Sequence, residues 1–201
     1  VNDTLPEEFI SELRELEESY LSVSDPIQQS GFGGSAERWR KERGVILEAV
    51  DGDGDFLDIG CANGYLLECL VGWAEERRIL LTPYGVDIGP RLVELAKQRL
   101  PQHAANFWVA NAWDWRPPHK FRYVYTLYDC VPAGFFRAYV GRLLERYVAK
   151  NGRLIIGAYG SYSRNEPARD VADDLRSFGF AVAGNASVGP LPATRIAWVK
   201  G

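Results

Sequence analysis

The stretch that most constrains this chain is Asp55-Phe56-Leu57-Asp58-Ile59-Gly60-Cys61-Ala62-Asn63-Gly64. Here an apolar extended run enters a Gly-x-x-x-Gly turn and then a helical pattern carrying Leu66, Leu67 and Leu70. Glycines at Gly60 and Gly64 let the backbone approach a ligand at distances where a side chain would collide. In open α/β sheets such turns lie at the carboxyl ends of strands, beside the point where strand order reverses, so a ligand is expected over this first strand.

The same rhythm runs on through the chain. Residues 84–87 read as a strand, 91–100 as a helix with Pro90 in its first turn, 107–110 and 123–128 as strands, and 135–149 as a helix. A strand at 153–159, a helix at 168–178 ended by Gly179, and strands at 180–183 and 195–199 follow. Strands alternating with helices imply a doubly wound α/β fold, mostly parallel, with helices on both faces. Ahead of it, Thr4-Leu5-Pro6-Glu7 has the form of a capping box, followed by Phe9, Leu13, Leu16 and Tyr20 at helical spacing. Residues 22–35 are polar and Gly-rich, which reads as a flexible loop before a second helix capped by Ser35. The expected organisation is an N-terminal helical cap or lid over residues 1–50 and one ligand-binding domain over 51–201.

Which ligand follows first from what the turn lacks. A dinucleotide site uses G-x-G-x-x-G, and here Ala62 and Leu67 stand where its second and third glycines belong. There is no G-x-x-x-x-G-K-[ST] loop to hold a triphosphate. An acidic cradle suited to a cationic ligand remains. The formal charge of −4 disfavours a nucleic-acid acceptor unless basic residues gather on one face. The three cysteines, Cys61, Cys69 and Cys130, show no metal-ligand spacing and read as reduced thiols, so no metal and a cytoplasmic location are expected. No apolar run approaches the ~20 residues that span a bilayer, and no basic-then-apolar leader opens the chain. With no methionine in the sequence, Val1 reads as a processed or trimmed start.

Residues 57–64 resemble motif I of the class I, Rossmann-like S-adenosylmethionine-dependent methyltransferases, hydrophobic-Asp-hydrophobic-Gly-Cys-Gly-x-Gly, with Ala62 in a glycine position. Tyr84-Gly85-Val86-Asp87-Ile88 resembles the family's second-strand ending, whose acidic residue accepts hydrogen bonds from the ribose hydroxyls. Val109-Ala110-Asn111-Ala112-Trp113 resembles its third-strand segment, with Asn111 in the acidic slot for the adenine amino group, the Ala112 amide toward a ring nitrogen and Trp113 over the adenine face. The resemblance covers roughly residues 51–200. It implies a seven-stranded sheet and S-adenosylmethionine as cofactor, released as S-adenosylhomocysteine, with no metal. The cofactor residues it implies are Asp58, Gly60, Cys61, Ala62, Asn63, Gly64, Asp87, Ile88, Asn111, Ala112, Trp113 and Tyr128.

In that family the acceptor sits beyond the fourth and fifth strands, which points to Tyr128, Asp129, Tyr159 and Tyr162, with Asp129 as general base or amine ligand. Set against these roles, a carboxylate before an apolar helix also serves as a cap, and the tyrosines also serve as strand-end packing. Arg38-Trp39-Arg40-Lys41 reads as the solvated face of a helix in preference to an arm reaching cofactor or substrate, and His103 and His119 as surface residues. The expected activity is methyl transfer to oxygen or nitrogen of a small molecule, by a monomer or homodimer without membrane attachment. The alternatives are an RNA or protein methyltransferase and a non-catalytic cofactor-binding module. The (Asp/Asn)-Pro-Pro-aromatic signature of amino-methylating nucleic-acid enzymes is replaced by Asp129-Cys130-Val131-Pro132.

Overall fold

The computed structural model describes residues 4–189 and 193–201; residues 1–3, with Val1, and 190–192 lie outside the described residues. Six α-helices are described: α1 (Glu7–Leu21), α2 (Ala36–Arg43), α3 (Tyr65–Glu76), α4 (Pro90–Arg99), α5 (Phe136–Arg146) and α6 (Val171–Ser177). Seven strands, β1 (Gly54–Ile59), β2 (Leu81–Asp87), β3 (Phe107–Val109), β4 (Phe121–Leu127), β5 (Val148–Tyr159), β6 (Val182–Val188) and β7 (Thr194–Lys200), form one sheet. Its order is β3-β2-β1-β4-β5-β7-β6. Pairing is parallel from β3 through β5, and β7 runs antiparallel to β5 and β6. Strand order reverses between β1 and β4, directly beside the Gly60 turn.

Period-two alternation divides the core between two faces of the sheet. Leu57, Ile59, Val124 and Ile156 pack with Phe136, Tyr139 and Leu143 of α5. Phe56, Tyr123, Tyr125 and Ile155 pack on the other face with Leu67 and Leu70 of α3 and Val93 of α4. Ile46, Leu47 and Ala49 are buried in this second cluster, whereas α1 has no buried residue.

Several boundaries differ from the sequence reading. α1 begins at Glu7 after Pro6, whose extended backbone (φ −59°, ψ 138°) and accepting carbonyl set the helix start, and no side chain caps it. Thr4 stands too early to do so. α5 ends at Arg146, because Tyr147 and Val148 leave the helix to enter β5 past a register shift opposite Phe121 and Tyr123. α6 begins at Val171 because the Asp170 side chain accepts from the Asp173 amide. The edge strand β6 continues to Val188, beyond the segment read from the apolar residues alone.

Ser35 does cap α2, accepting from the Arg38 amide at 3.2 Å. The loop before it is pinned. Asn63 Nδ2 donates to the Pro26 carbonyl and Gln29 Oε1, both at 3.1 Å, Ser30 Oγ donates to Asn63 Oδ1 at 3.0 Å, and Ile27 and Phe32 are buried.

Candidate functional site

A cavity lies at the carboxyl ends of β1, β2 and β4, roofed by α1. Its floor is the Gly60 turn, where φ of +81° selects glycine and an added Cβ would find its nearest neighbour, Cys130 Sγ, at 3.5 Å. Backbone here is therefore open to a ligand. Ala62, also lining the cavity, holds φ of +45°, a left-handed conformation that glycine adopts more freely. Gly64 starts α3 at φ +74°, with an added Cβ 2.8 Å from Ala96 Cβ and 3.0 Å from its Cα. Backbone cannot yield as a flexible side chain does, so Gly64→Ala is expected to destabilise the protein by about 2–4 kcal/mol through left-handed strain plus overpacking. Urea denaturation would register this as a lowered midpoint, and an unchanged midpoint would refute it.

Asp87 ends β2 with both carboxylate oxygens engaged: Oδ2 accepts from the Ala62 amide at 2.9 Å and Oδ1 from the Gly89 amide at 2.8 Å. Burial raises its pKa, and Glu17 of α1 adds to the rise. Asn111 Oδ1 accepts from the Trp113 amide at 2.9 Å, so the side chain folds back on its own turn while still lining the cavity. Ile88, Ala112 and Asp129 line it as well.

The fold, unlike the sequence, has matches among solved structures. No protein-family model matches the chain, and no curated protein matches its sequence. The N-methyltransferase NodS from Bradyrhizobium japonicum WM9, in complex with S-adenosylhomocysteine, matches with a TM-score of 0.68 at 16% identity, over 94% of this chain and 97% of that one. The 1,6-didemethyltoxoflavin-N1-methyltransferase from Burkholderia thailandensis, with 1,6-didemethyltoxoflavin and S-adenosylhomocysteine bound, matches at 0.68 and 15% identity, over 98% and 90% of the two chains. A putative methyltransferase in complex with the Haloferax volcanii Trm112 methyltransferase activator matches at 0.66 and 13% identity, over 94% and 96%. The chain has the class I methyltransferase fold.

Within this methyltransferase fold, the remaining residues singled out from sequence do not line the cavity. Asp58 lies buried below it, 2% exposed and accepting no hydrogen bond among the described residues. Burial, then Asp87, pushes its carboxyl up to about 8. Cys61 is buried, with Sγ close to where a Cβ on Gly85 would stand. Asn63 serves the N-terminal loop, as described above. Trp113 is buried edge-on to Phe135 with the Arg142 guanidinium over it at 4.2 Å. Tyr128 stacks on Phe136 at 4.2 Å and carries Arg169 over its ring at 4.4 Å. The Tyr159 hydroxyl meets that of Tyr125 at 2.5 Å, and the half-exposed Tyr162 carries Arg38 over its ring.

Sequence reasoning missed the roof. Leu13, Leu16, Glu17 and Tyr20 of α1 all line the cavity. Glu17 Oε1 accepts from the Arg91 amide at 2.8 Å and the Leu92 amide at 3.3 Å, capping the start of α4, while Glu18 pairs with the Arg91 side chain. The Leu13, Leu16 and Tyr20 spacing marked an apolar stripe but not what it covers. Cys130 also lines the cavity, and burial followed by Asp129 pushes its thiol up to about 12, so it stays a neutral thiol. Among the described lining residues Glu17, Asp87 and Asp129 are acidic, and none is Lys, Arg or His. No described helix is long and apolar enough to cross a membrane, and no described group of three or more His, Cys, Asp or Glu is placed to hold a metal.

Proposed function

We propose that this chain is an S-adenosylmethionine-dependent methyltransferase acting on oxygen or nitrogen of a small molecule. The carrying observation is the charge of the cavity: Glu17, Asp87 and Asp129 line it, Asp58 is buried nearby, and no basic side chain is among its described lining residues. Such a site repels phosphates and suits a ligand bearing sulfonium and ammonium charge. The open Gly60 turn fits that ligand at close range.

The residues present divide the work. Asp87, fixed by two backbone amides, keeps a lone pair on each oxygen for the ribose hydroxyls. Asn111 and Ala112 face the adenine edge, with Ile88 and Leu92 as apolar wall. Gly60 and Asp58 serve the methionyl end. The cofactor supplies an electrophilic methyl carbon, and the chain's task is alignment and exclusion of water, which account for much of the rate in an in-line displacement. Asp129, its pKa raised by burial, accepts the proton of the acceptor nucleophile or binds its amine. Tyr128, Tyr159 and Tyr162 form the acceptor side.

The N-terminal segment acts as a lid: α1 buries none of its own residues and is latched through Glu17 to α4. α1 presents Glu7, Glu8, Glu12, Glu15, Glu17 and Glu18 against Arg14 alone, a surface that disfavours a polyanionic acceptor. The three free cysteines suit a reducing, cytoplasmic setting. Calorimetric titration of the purified protein with S-adenosylmethionine and S-adenosylhomocysteine tests the reading. Saturable binding at one site per chain is expected and justifies an acceptor screen. Folded protein that binds neither would overturn it.

A further inference from the structure

A second charged site lies on the acceptor side, and its sign is opposite. On α2, Arg38 Nε pairs with Glu42 Oε1 at 2.6 Å and Arg43 Nη1 approaches Glu42 Oε2 at 3.6 Å. Glu42 is the one carboxylate in ion-pair range of either guanidinium among the described residues, so the three side chains carry a net charge of +1. Arg43 is 5% exposed, and its polar neighbour besides Glu42 is Thr194, whose Oγ1 accepts from it at 3.4 Å. Three ring faces lie against it: Tyr159 at 3.5 Å, Phe32 at 4.8 Å and Trp39 at 5.2 Å. Aromatic faces attract a cation without neutralising it.

Holding a guanidinium this deep against half a counterion is costly, and an apolar side chain of similar size meets a purely structural need at lower cost. Arg38 is the accessible member, 39% exposed, with its guanidinium over the rings of both Phe32 (4.7 Å) and Tyr162 (4.9 Å). Its two terminal nitrogens have no hydrogen-bond partner among the described residues. A planar fork with both tips unengaged matches a carboxylate two-pronged.

Placement ties this site to the reaction. Tyr159 ends β5 and Tyr162 follows it, and β5 pairs with β4, after which Asp129 comes. Arg43 covers the Tyr159 ring, and the Tyr159 hydroxyl meets that of Tyr125 on β4, the strand that leads to Asp129. In the sheet β5 lies two strands from β1, about 10 Å at the usual strand spacing, within reach of a one-ring molecule. The acidic cavity and the basic, aromatic-walled site therefore both lie at the carboxyl edge of the parallel strands.

We propose that the methyl acceptor is an anionic molecule with an aromatic or similarly flat body, whose carboxylate docks on Arg38 between Phe32 and Tyr162, with Arg43 supplying charge behind Tyr159. This rests on the methyltransferase reading above, and the test keeps the two apart. Protein saturated with S-adenosylhomocysteine is titrated with benzoate and with its neutral isostere benzamide, following tryptophan fluorescence; Trp39 adjoins Arg43. The titrations are repeated on Arg38→Gln and Arg38→Lys, after thermal melts show both folded. Benzoate is expected to saturate at least tenfold more tightly than benzamide. Arg38→Gln should lose at least tenfold in benzoate affinity, Arg38→Lys less, and both should bind S-adenosylhomocysteine within twofold of wild type. Equal binding of benzoate and benzamide, no benzoate binding, or an unchanged benzoate titration in Arg38→Gln would overturn the proposal. So would Arg38→Gln weakening S-adenosylhomocysteine, which would assign the arginine to the cofactor's own carboxylate. Charge-selective benzoate binding by protein that binds no S-adenosylhomocysteine would leave the anion site standing and remove the methyltransferase reading.

Discussion

Asp87→Ala is expected to weaken S-adenosylhomocysteine binding by about 100-fold or more. Two hydroxyl donors meeting one carboxylate make two charge-assisted hydrogen bonds, each worth about 1.5–3 kcal/mol, and 1.4 kcal/mol is a factor of ten. The loss also acts through the protein, because the Asp87 carboxylate holds the Ala62 and Gly89 amides on either side of the cradle. Without it two donors go unpaired and the Gly60–Gly64 turn loses its tie to β2. A lower melting temperature should therefore accompany the loss of affinity, and circular dichroism distinguishes a folded variant from a collapsed one. Calorimetry at 25 °C on the folded variant is the decisive measurement. Binding within threefold of wild type would show that the ribose hydroxyls, and so the cofactor, do not meet this side chain.

Asp87 and the Gly60 turn were legible because strand, turn and helix start are contiguous, so each position's role is set by neighbours a few residues away. The residues missed reach the cavity across long separations. Glu17 caps α4 from 74 residues away, and nothing in the local spacing of α1 indicates that its free stripe roofs a site. Side-chain direction at turns was equally hidden. Asn63 belongs to the motif, yet its amide faces Pro26 and Gln29; Trp113 follows the third strand, yet it packs under Arg142 rather than toward the cavity. Arg38 read as solvated, and Arg43 drew no reading, because a basic run on a short helix gives no hint of the rings of Phe32, Tyr159 and Tyr162 around it. The fold survived these gaps because the sheet depends on buried apolar alternation, which is local, whereas the site depends on where elements meet.

Cofactor binding at neutral pH should also release close to one proton, and Asp58 is its source. Burial, with Asp87 nearby, raises this carboxyl from an ordinary 3.8 to about 8, so in the ligand-free protein it is mostly protonated at pH 7. A carboxyl whose folded pKa lies above its unfolded value takes up a proton on folding between those two values. Its contribution to stability therefore falls as pH rises from about 4 to about 8 and is level beyond. A ligand bringing positive charge to the site favours the ionised form, so its affinity should climb as pH rises toward 8 and flatten above. Binding enthalpies at pH 7 in phosphate and in Tris should then differ by nearly the difference in buffer ionisation enthalpy. Asp58→Asn, which cannot titrate, should show no such difference. It should also melt with wild type below about pH 4 and increasingly above it as pH rises to about 8, while binding the cofactor more weakly there. Buffer-independent enthalpy in the wild type would mean that the Asp58 carboxyl keeps one protonation state through binding, and that the cationic end of the ligand is held elsewhere.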